Sequence, residues 1–436
     1  MLNKELNLND DILRQTIESN VLKRNSKLIM LAKLLSSINL NTIISIDGRW
    51  GTGKTYFVKQ FKYIVEHIDD YIDNRILNDE DKNVFNKIHD TSLIVYYNAW
   101  ENDSHTNALE SLIYNILNEY PKMKDQVADF ANFKKVFKKI CRDVIYKGTL
   151  ELFDINNFDD LKNFSELSNE IITIEEKKKA FNELINLIIG DKNRLILIVD
   201  ELDRCKPSFA LELLETIKHF YNNDKITIIV STNNYELSNT IKNYYGNNFD
   251  GYGYLNKFYD SIISLDRINI KNYLQQQLNF CKETWVWHDL SYLIMMHYNF
   301  SLRECNRFVT LYNMLKSYIE NDRNYFEDRK YVHTCILIPM ALALKIKDIN
   351  KYNSFINKKG DKIILDFLDN SISNTKYESW IRELEKLPSD DDYKQKILDI
   401  YHEVFDNEYN YYKFPFFDAI SLLGTDLLIQ NNQDSD

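Results

Sequence analysis

The sequence predicts a parallel α/β sheet with helical additions, and three observations carry that expectation. Short apolar runs rich in β-branched residues recur at Ile43–Ile46, Ser92–Tyr97, Leu195–Val199 and Ile226–Val230, separated by long stretches that read as helix. Strands so spaced need crossover connections, which makes them parallel and covers the sheet on both faces. Turn formers are scarce, with 10 Gly and 5 Pro in 436 residues, so long helices with Asn- and Lys-rich connections are expected. Finally, Gly48, Gly51 and Gly53 crowd into one short loop after the first apolar run.

Taken in order, Met1 to Asp10 lacks the basic-then-apolar pattern of a secretory leader. Residues 8 to 38 read as helical, with Ile29, Leu31, Leu34 and Leu35 on one face. Ile43, Ile44 and Ile46 then form a strand that runs into Gly48-Arg-Trp-Gly-Thr-Gly-Lys-Thr55. This string matches G-x-x-x-x-G-K-[ST], and about 0.003 chance matches are expected in a chain of this composition. Such a loop wraps phosphate oxygens with backbone N–H groups, so the nucleotide contacts are expected from Gly48, Trp50, Gly51, Thr52, Gly53, Lys54, Thr55 and Tyr56. Lys54 would reach the β/γ-phosphates, and the Thr55 hydroxyl would hold Mg²⁺. Tyr56 to Val65 follows as a helix.

Ser92–Tyr97 is the next strand and leads into Asn98-Ala-Trp100. Between about 103 and 193 lies a helical insertion, in which Phe133, Val136, Phe137, Ile140, Cys141, Val144 and Ile145 recur at helical spacing. The opposite face carries Lys134, Lys135, Lys138, Lys139 and Arg142. A solvated helix face is one reading of this stripe; a docking surface for nucleic acid, an acidic partner or a membrane headgroup layer is the other.

Leu195–Val199 is apolar throughout, as a strand buried on both faces would be, and ends in Asp200 and Glu201. Carboxylates at the C-terminal end of such a strand lie where open α/β sheets bind ligands. Asp200 is the metal-side acid and Glu201 the candidate for polarising the attacking water. Ile226–Val230 leads into Ser231-Thr232-Asn233, where Thr232 or Asn233 either touches the γ-phosphate and its water or serves as a turn or helix cap. Ser261–Leu265 reads as a fifth strand.

Composition narrows the function classes. Lys+Arg 54 against Asp+Glu 65 gives a net charge of -11, which disfavours nonspecific coating of nucleic acid. The longest apolar run, Cys335 to Leu344, falls well short of the roughly 20 residues a membrane-crossing helix needs. Five scattered cysteines without paired spacing fit a reducing cytoplasm and support neither a disulfide framework nor a zinc site.

With these motifs in hand, the chain resembles a KAP-family P-loop NTPase, related to AAA+ and STAND ATPases. The residues that carry the resemblance are 48–55, Tyr97-Asn-Ala-Trp-Glu101, Asp200-Glu-Leu-Asp-Arg-Cys205, Tyr254-Leu-Asn-Lys257 and Leu302-Arg-Glu-Cys-Asn-Arg-Phe308. The resemblance implies a sheet of the additional-strand type, with the Ile226 strand between the phosphate-loop and Asp200 strands. It also implies a helical lid in which Arg303 or Arg307 senses the γ-phosphate; a surface salt bridge is the alternative for either. Glu201 stands where the family usually carries a second Asp. Many members insert transmembrane helices before the acidic strand, and this chain has no such span there. For Trp50 and Trp100 the residues favour packing over adenine stacking.

The domain plan expected is a helical leader at 1–40, an NTPase core at 41–268, a helical lid at 269–330 and a helical domain with a polar tail at 331–436. The function expected is Mg²⁺-dependent ATP binding and hydrolysis driving a conformational switch, in the cytoplasm. The resemblance places this in bacterial defence against phage. Partners implied are a second copy of the chain or an effector protein, and the rival reading is an ATP-gated scaffold in which hydrolysis only resets assembly.

Overall fold

A computed structural model describes residues 8–38, 41–68, 77–105, 108–119, 174–220, 223–265, 270–276, 286–321, 332–373, 375–384 and 392–404. The apolar runs become β1 (Thr42–Asp47), β2 (Ser92–Asn98), β3 (Arg194–Asp200), β4 (Ile226–Thr232) and β5 (Ser261–Ser264). Among the described residues these form one all-parallel sheet in the order β2-β3-β4-β1-β5. The phosphate-loop strand and the acidic strand are therefore separated by β4, as expected. Register brings the strand ends level, with Asp47 opposite Thr232, Asn98 opposite Asp200, and Asp200 opposite Ser231.

Helices cover both faces. On the N-terminal side lie α1 (Asp10–Glu18), α2 (Asn25–Ser37), α3 (Lys54–Glu66) and α4 (Asp79–Thr91). The crossovers into β3, β4 and β5 use α5 (Ala108–Glu119), α6 (Ile174–Ile189), α7 (Pro207–Phe220), α8 (Asn234–Tyr245) and α9 (Gly251–Asn256). Strand alternation sorts β3: Leu195, Leu197 and Val199 join the cluster of Ile113, Ile185 and Leu214, while Ile196 and Ile198 are buried outside that cluster. Each such side chain, fully buried, contributes roughly 1.5–3 kcal/mol.

Two details differ from the sequence reading. The leader is two helices, because the chain breaks at Asn20 and Lys23, both at positive φ. The buried face of α2 is Leu28, Leu31, Ala32 and Leu35, so Ile29 and Leu34 sit at its margin. The Asn-rich connections serve as caps: Asn9 and Asn78 each accept a backbone N–H in the first turn of α1 and α4. The basic stripe at Lys134, Lys135, Lys138, Lys139 and Arg142 lies outside the described residues.

Gly251 opens α9 directly against α8. A Cβ built there would stand 2.2 Å from the Ser238 carbonyl oxygen, a backbone atom that cannot rotate away. Gly251→Ala is expected to cost about 1–3 kcal/mol through overpacking. A thermal melt matching that of the wild type would refute this.

The chain divides into two compact units, Leu8–Arg267 and the residues from Ile268 onward. The second is built from α10 (Ile270–Gln276), α11 (Val286–His297), α12 (Leu302–Asn321), α13 (Ile338–Lys347), α14 (Ile349–Ile356), α15 (Asp361–Phe367), α16 (Lys376–Leu384) and α17 (Tyr393–Val404). One apolar cluster joins Leu274, Phe308 and Tyr312 to Leu337, Phe355, Phe367 and Tyr401. The expected boundary near 330 therefore falls inside a continuous core. Among the described residues no helix is long and apolar enough to cross a membrane.

Candidate active site

The loop after β1 is shaped by its glycines. Gly51 and Gly53 take φ of 76° and 82°, a left-handed conformation that a Cβ disfavours, and Gly53 is the residue from which α3 starts. The unpaired N–H groups at the start of α3 face a loop held to β4 by Gly48 N–H donating to the Thr232 carbonyl at 3.3 Å. Lys54, 8% exposed, turns back and donates to the Gly48 carbonyl at 2.6 Å. Burial lowers its pKa, against the opposing pull of Asp203, Asp200 and Asp47. Thr55 is half-buried at the head of the helix, Thr52 Oγ1 donates to the Arg49 carbonyl at 2.8 Å, and Tyr56 is buried, its phenol pushed up to about 12 by desolvation.

Asp200 ends β3 at 1% exposure. Its Oδ1 accepts the Glu201 backbone N–H at 3.0 Å, and its Oδ2 accepts the Tyr96 hydroxyl at 3.0 Å. Burial, and then Asp200 itself, raises the pKa of Tyr96, so the phenol stays a donor. Glu201 sits at φ 60°, an uncommon conformation for a residue with a Cβ, and its carboxylate pairs with Arg204 Nη1 at 2.8 Å. Arg204 in turn lies over the Trp100 ring at 5.5 Å.

Asp203, which the resemblance carries in the Asp200–Cys205 string as a residue orienting the acidic strand or a neighbouring subunit's site, is the hub of the cluster. Its Oδ2 accepts the Trp50 indole N–H, and its Oδ1 accepts the Thr232 hydroxyl at 3.2 Å. Tyr96 and Asp47 are site neighbours that the sequence reading did not name; Asp47 Oδ1 accepts the Asn234 N–H at 2.9 Å. Strand alternation contains the signal for Tyr96, since Tyr96 and Tyr97 must face opposite sides, and Tyr97 goes to Ser111 in the core. Asp203 is marked by its place in the Asp200–Cys205 string, but its partners Trp50 and Thr232 are remote in sequence.

The other expected site residues are placed as follows. Asn233 caps α8, its Oδ1 3.5 Å from the Glu236 N–H. Trp50 and Trp100 do not pack away: they are 51% and 44% exposed, Trp50 tied through its indole N–H to Asp203 and Trp100 with the Arg204 guanidinium over its ring. Arg303 and Arg307 lie one turn apart on the exposed side of α12, in the second unit.

The loop fits a phosphate chain and the carboxylates fit a hard cation. Among the described residues no group of three or more His, Cys, Asp or Glu forms a ready-made metal cage. No relative among curated proteins matches the chain. A family description, the KAP family P-loop domain, matches residues 24–375, most of the chain. With its loop, its acidic strand and an all-parallel sheet of the expected order, the chain belongs to the KAP family of P-loop NTPases, whose fold binds and hydrolyses nucleotides.

Proposed function

We propose that the protein binds and hydrolyses ATP with Mg²⁺ and uses the cycle as a conformational switch. The observation that carries this reading is Lys54, a buried cation that desolvation disfavours, retained at the mouth of a glycine loop among Asp47, Asp200 and Asp203. A lysine kept there against its own desolvation is best explained by an anionic ligand.

Lys54 would exchange the Gly48 carbonyl for phosphate oxygens, and the N–H groups opening α3 would orient the β-phosphate. Thr55 and Asp200 would hold Mg²⁺, which when bound neutralises charge on the phosphates. Glu201 would take a proton from the attacking water, from a carboxylate placed next to Asp200 by its left-handed backbone. Arg303 and Arg307 are assigned to sensing of the γ-phosphate, and the resemblance to the family suggests bacterial defence against phage as the setting.

A phosphate-release assay with purified protein tests this. Turnover is expected with ATP and Mg²⁺ and is expected to vanish when EDTA removes the metal. Absence of any binding of a fluorescent ATP analogue, with or without Mg²⁺, would overturn the reading.

One observation favours a second reading, an ATP-gated scaffold with slow turnover. The Glu201 carboxylate is already engaged by Arg204 at 2.8 Å, so the base is held in an ion pair. On the scaffold reading Arg204→Ala raises basal turnover severalfold; on the motor reading it does not.

A further inference from the structure

We propose that Asp203 is a positioning residue that locks the phosphate loop to strand β4 and fixes the direction of the Thr232 hydroxyl. This rests on the nucleotide site proposed above. Asp203 sits on the short turn after β3, Trp50 on the phosphate loop and Thr232 at the end of β4, so three segments remote in sequence meet at one carboxylate. The carboxylate is 9% exposed and Thr232 is fully buried.

The chemistry follows from what each group is able to do. An ionised carboxylate only accepts, and an indole N–H only donates. A threonine hydroxyl has one proton, and at 3.2 Å from Asp203 Oδ1 that proton points at Asp203. Thr232 therefore meets any further partner with lone pairs alone. It is suited to accept from an attacking water, which has protons to give, and unsuited to donate to a phosphate oxygen. Trp50, half exposed above, is tied at its N–H edge, so the tip of the loop is held over the same turn that follows Asp200 and Glu201.

Asp203→Asn makes a discriminating variant because asparagine has the same shape but one acceptor. Turned one way, its oxygen keeps Thr232 and its NH₂ faces the Trp50 N–H; turned the other, it keeps Trp50 and donates to Thr232. The first way loses the Trp50 bond and the second reverses the Thr232 bond and frees its proton, so neither keeps both bonds as they stand. In the full-length chain, Asp203→Asn is expected to lower kcat about tenfold, as loss of one charge-assisted hydrogen bond would, while KM changes far less. Thr232→Val should show a similar kcat loss, Thr232→Ser, which keeps the hydroxyl, should lose less than Thr232→Val, and the double variant of Thr232→Val with Asp203→Asn should be no slower than the worse single variant. The emission of Trp50, taken as the difference between wild type and Trp50→Phe, should shift in Asp203→Asn before any nucleotide is added.

Wild-type kcat with unchanged Trp50 emission in Asp203→Asn overturns the proposal, as do fully additive losses in the double variant. If Asp203→Asn fails to fold, Thr232→Val and Trp50→Phe, each breaking one of the two bonds, carry the same test of non-additivity. Binding of a fluorescent ATP analogue to Lys54→Ala separates the two levels. Retained binding there refutes the nucleotide site itself, whereas lost binding beside a wild-type Asp203→Asn refutes only the positioning role.

Discussion

Glu201→Gln is expected to leave ATP bound and to slow its hydrolysis by about 10²–10⁴-fold, the range of general-base contributions. The substitution keeps side-chain volume and removes the proton-accepting charge. It also leaves the backbone as it is, because the φ of 60° at this position is held by the Glu201 backbone N–H bonds to Ser231 O and Asp200 Oδ1, which do not involve the side chain. Single-turnover phosphate release, with fluorescent-nucleotide binding measured beside it, reads both halves of the expectation. Unchanged hydrolysis would remove Glu201 from the chemistry. The same variant separates the two functional readings: a motor loses its biological function, whereas a scaffold stays locked in its assembled, ATP-bound form.

Lys54→Met is expected to abolish detectable nucleotide binding without lowering the thermal midpoint of the empty protein. The first half follows from removing the only cation of the phosphate loop that is buried among the carboxylates; losses on the order of 10²–10³-fold accompany removal of a single preorganised contact of this kind. The second half follows from its depressed pKa. Desolvation outweighs Asp203, Asp200 and Asp47, so the folded-state pKa lies below 10.5 and protonation favours the unfolded chain. That cost is in force at neutral pH and fades only as pH rises through the lowered folded value toward 10.5. Methionine keeps the packing of the stem and removes the charge. A large fall in melting temperature would mean that Lys54 is structural, and would weaken the functional reading of its burial.

The strands were legible because burial on both faces leaves a continuous β-branched run, and the sheet leaves Leu195–Asp200 entirely buried. Lys54, Thr55, Asp200 and Glu201 were legible because their roles depend on fixed spacing from glycines or from a strand end. The partners of Asp203 were not, since Trp50 and Thr232 lie 153 and 29 residues away and meet it only through sheet order. The exposure of Trp50 and Trp100 was missed for a related reason: a large aromatic ring predicts burial, but the N–H bond of Trp50 to Asp203 and the Arg204 guanidinium over Trp100 hold these rings at the surface. The break in the leader at Asn20 and Lys23 was hidden because both neighbouring segments keep helical periodicity.

The shared core of the second unit has an evolutionary consequence. Because Phe308 and Tyr312 rest in the same apolar cluster as Leu337, Phe355 and Tyr401, a recombination breakpoint between α12 and α13 would strip cover from both fragments at once. Descendants of this chain are therefore not free to shorten the helical unit piecemeal, because each half supplies the cover of the other.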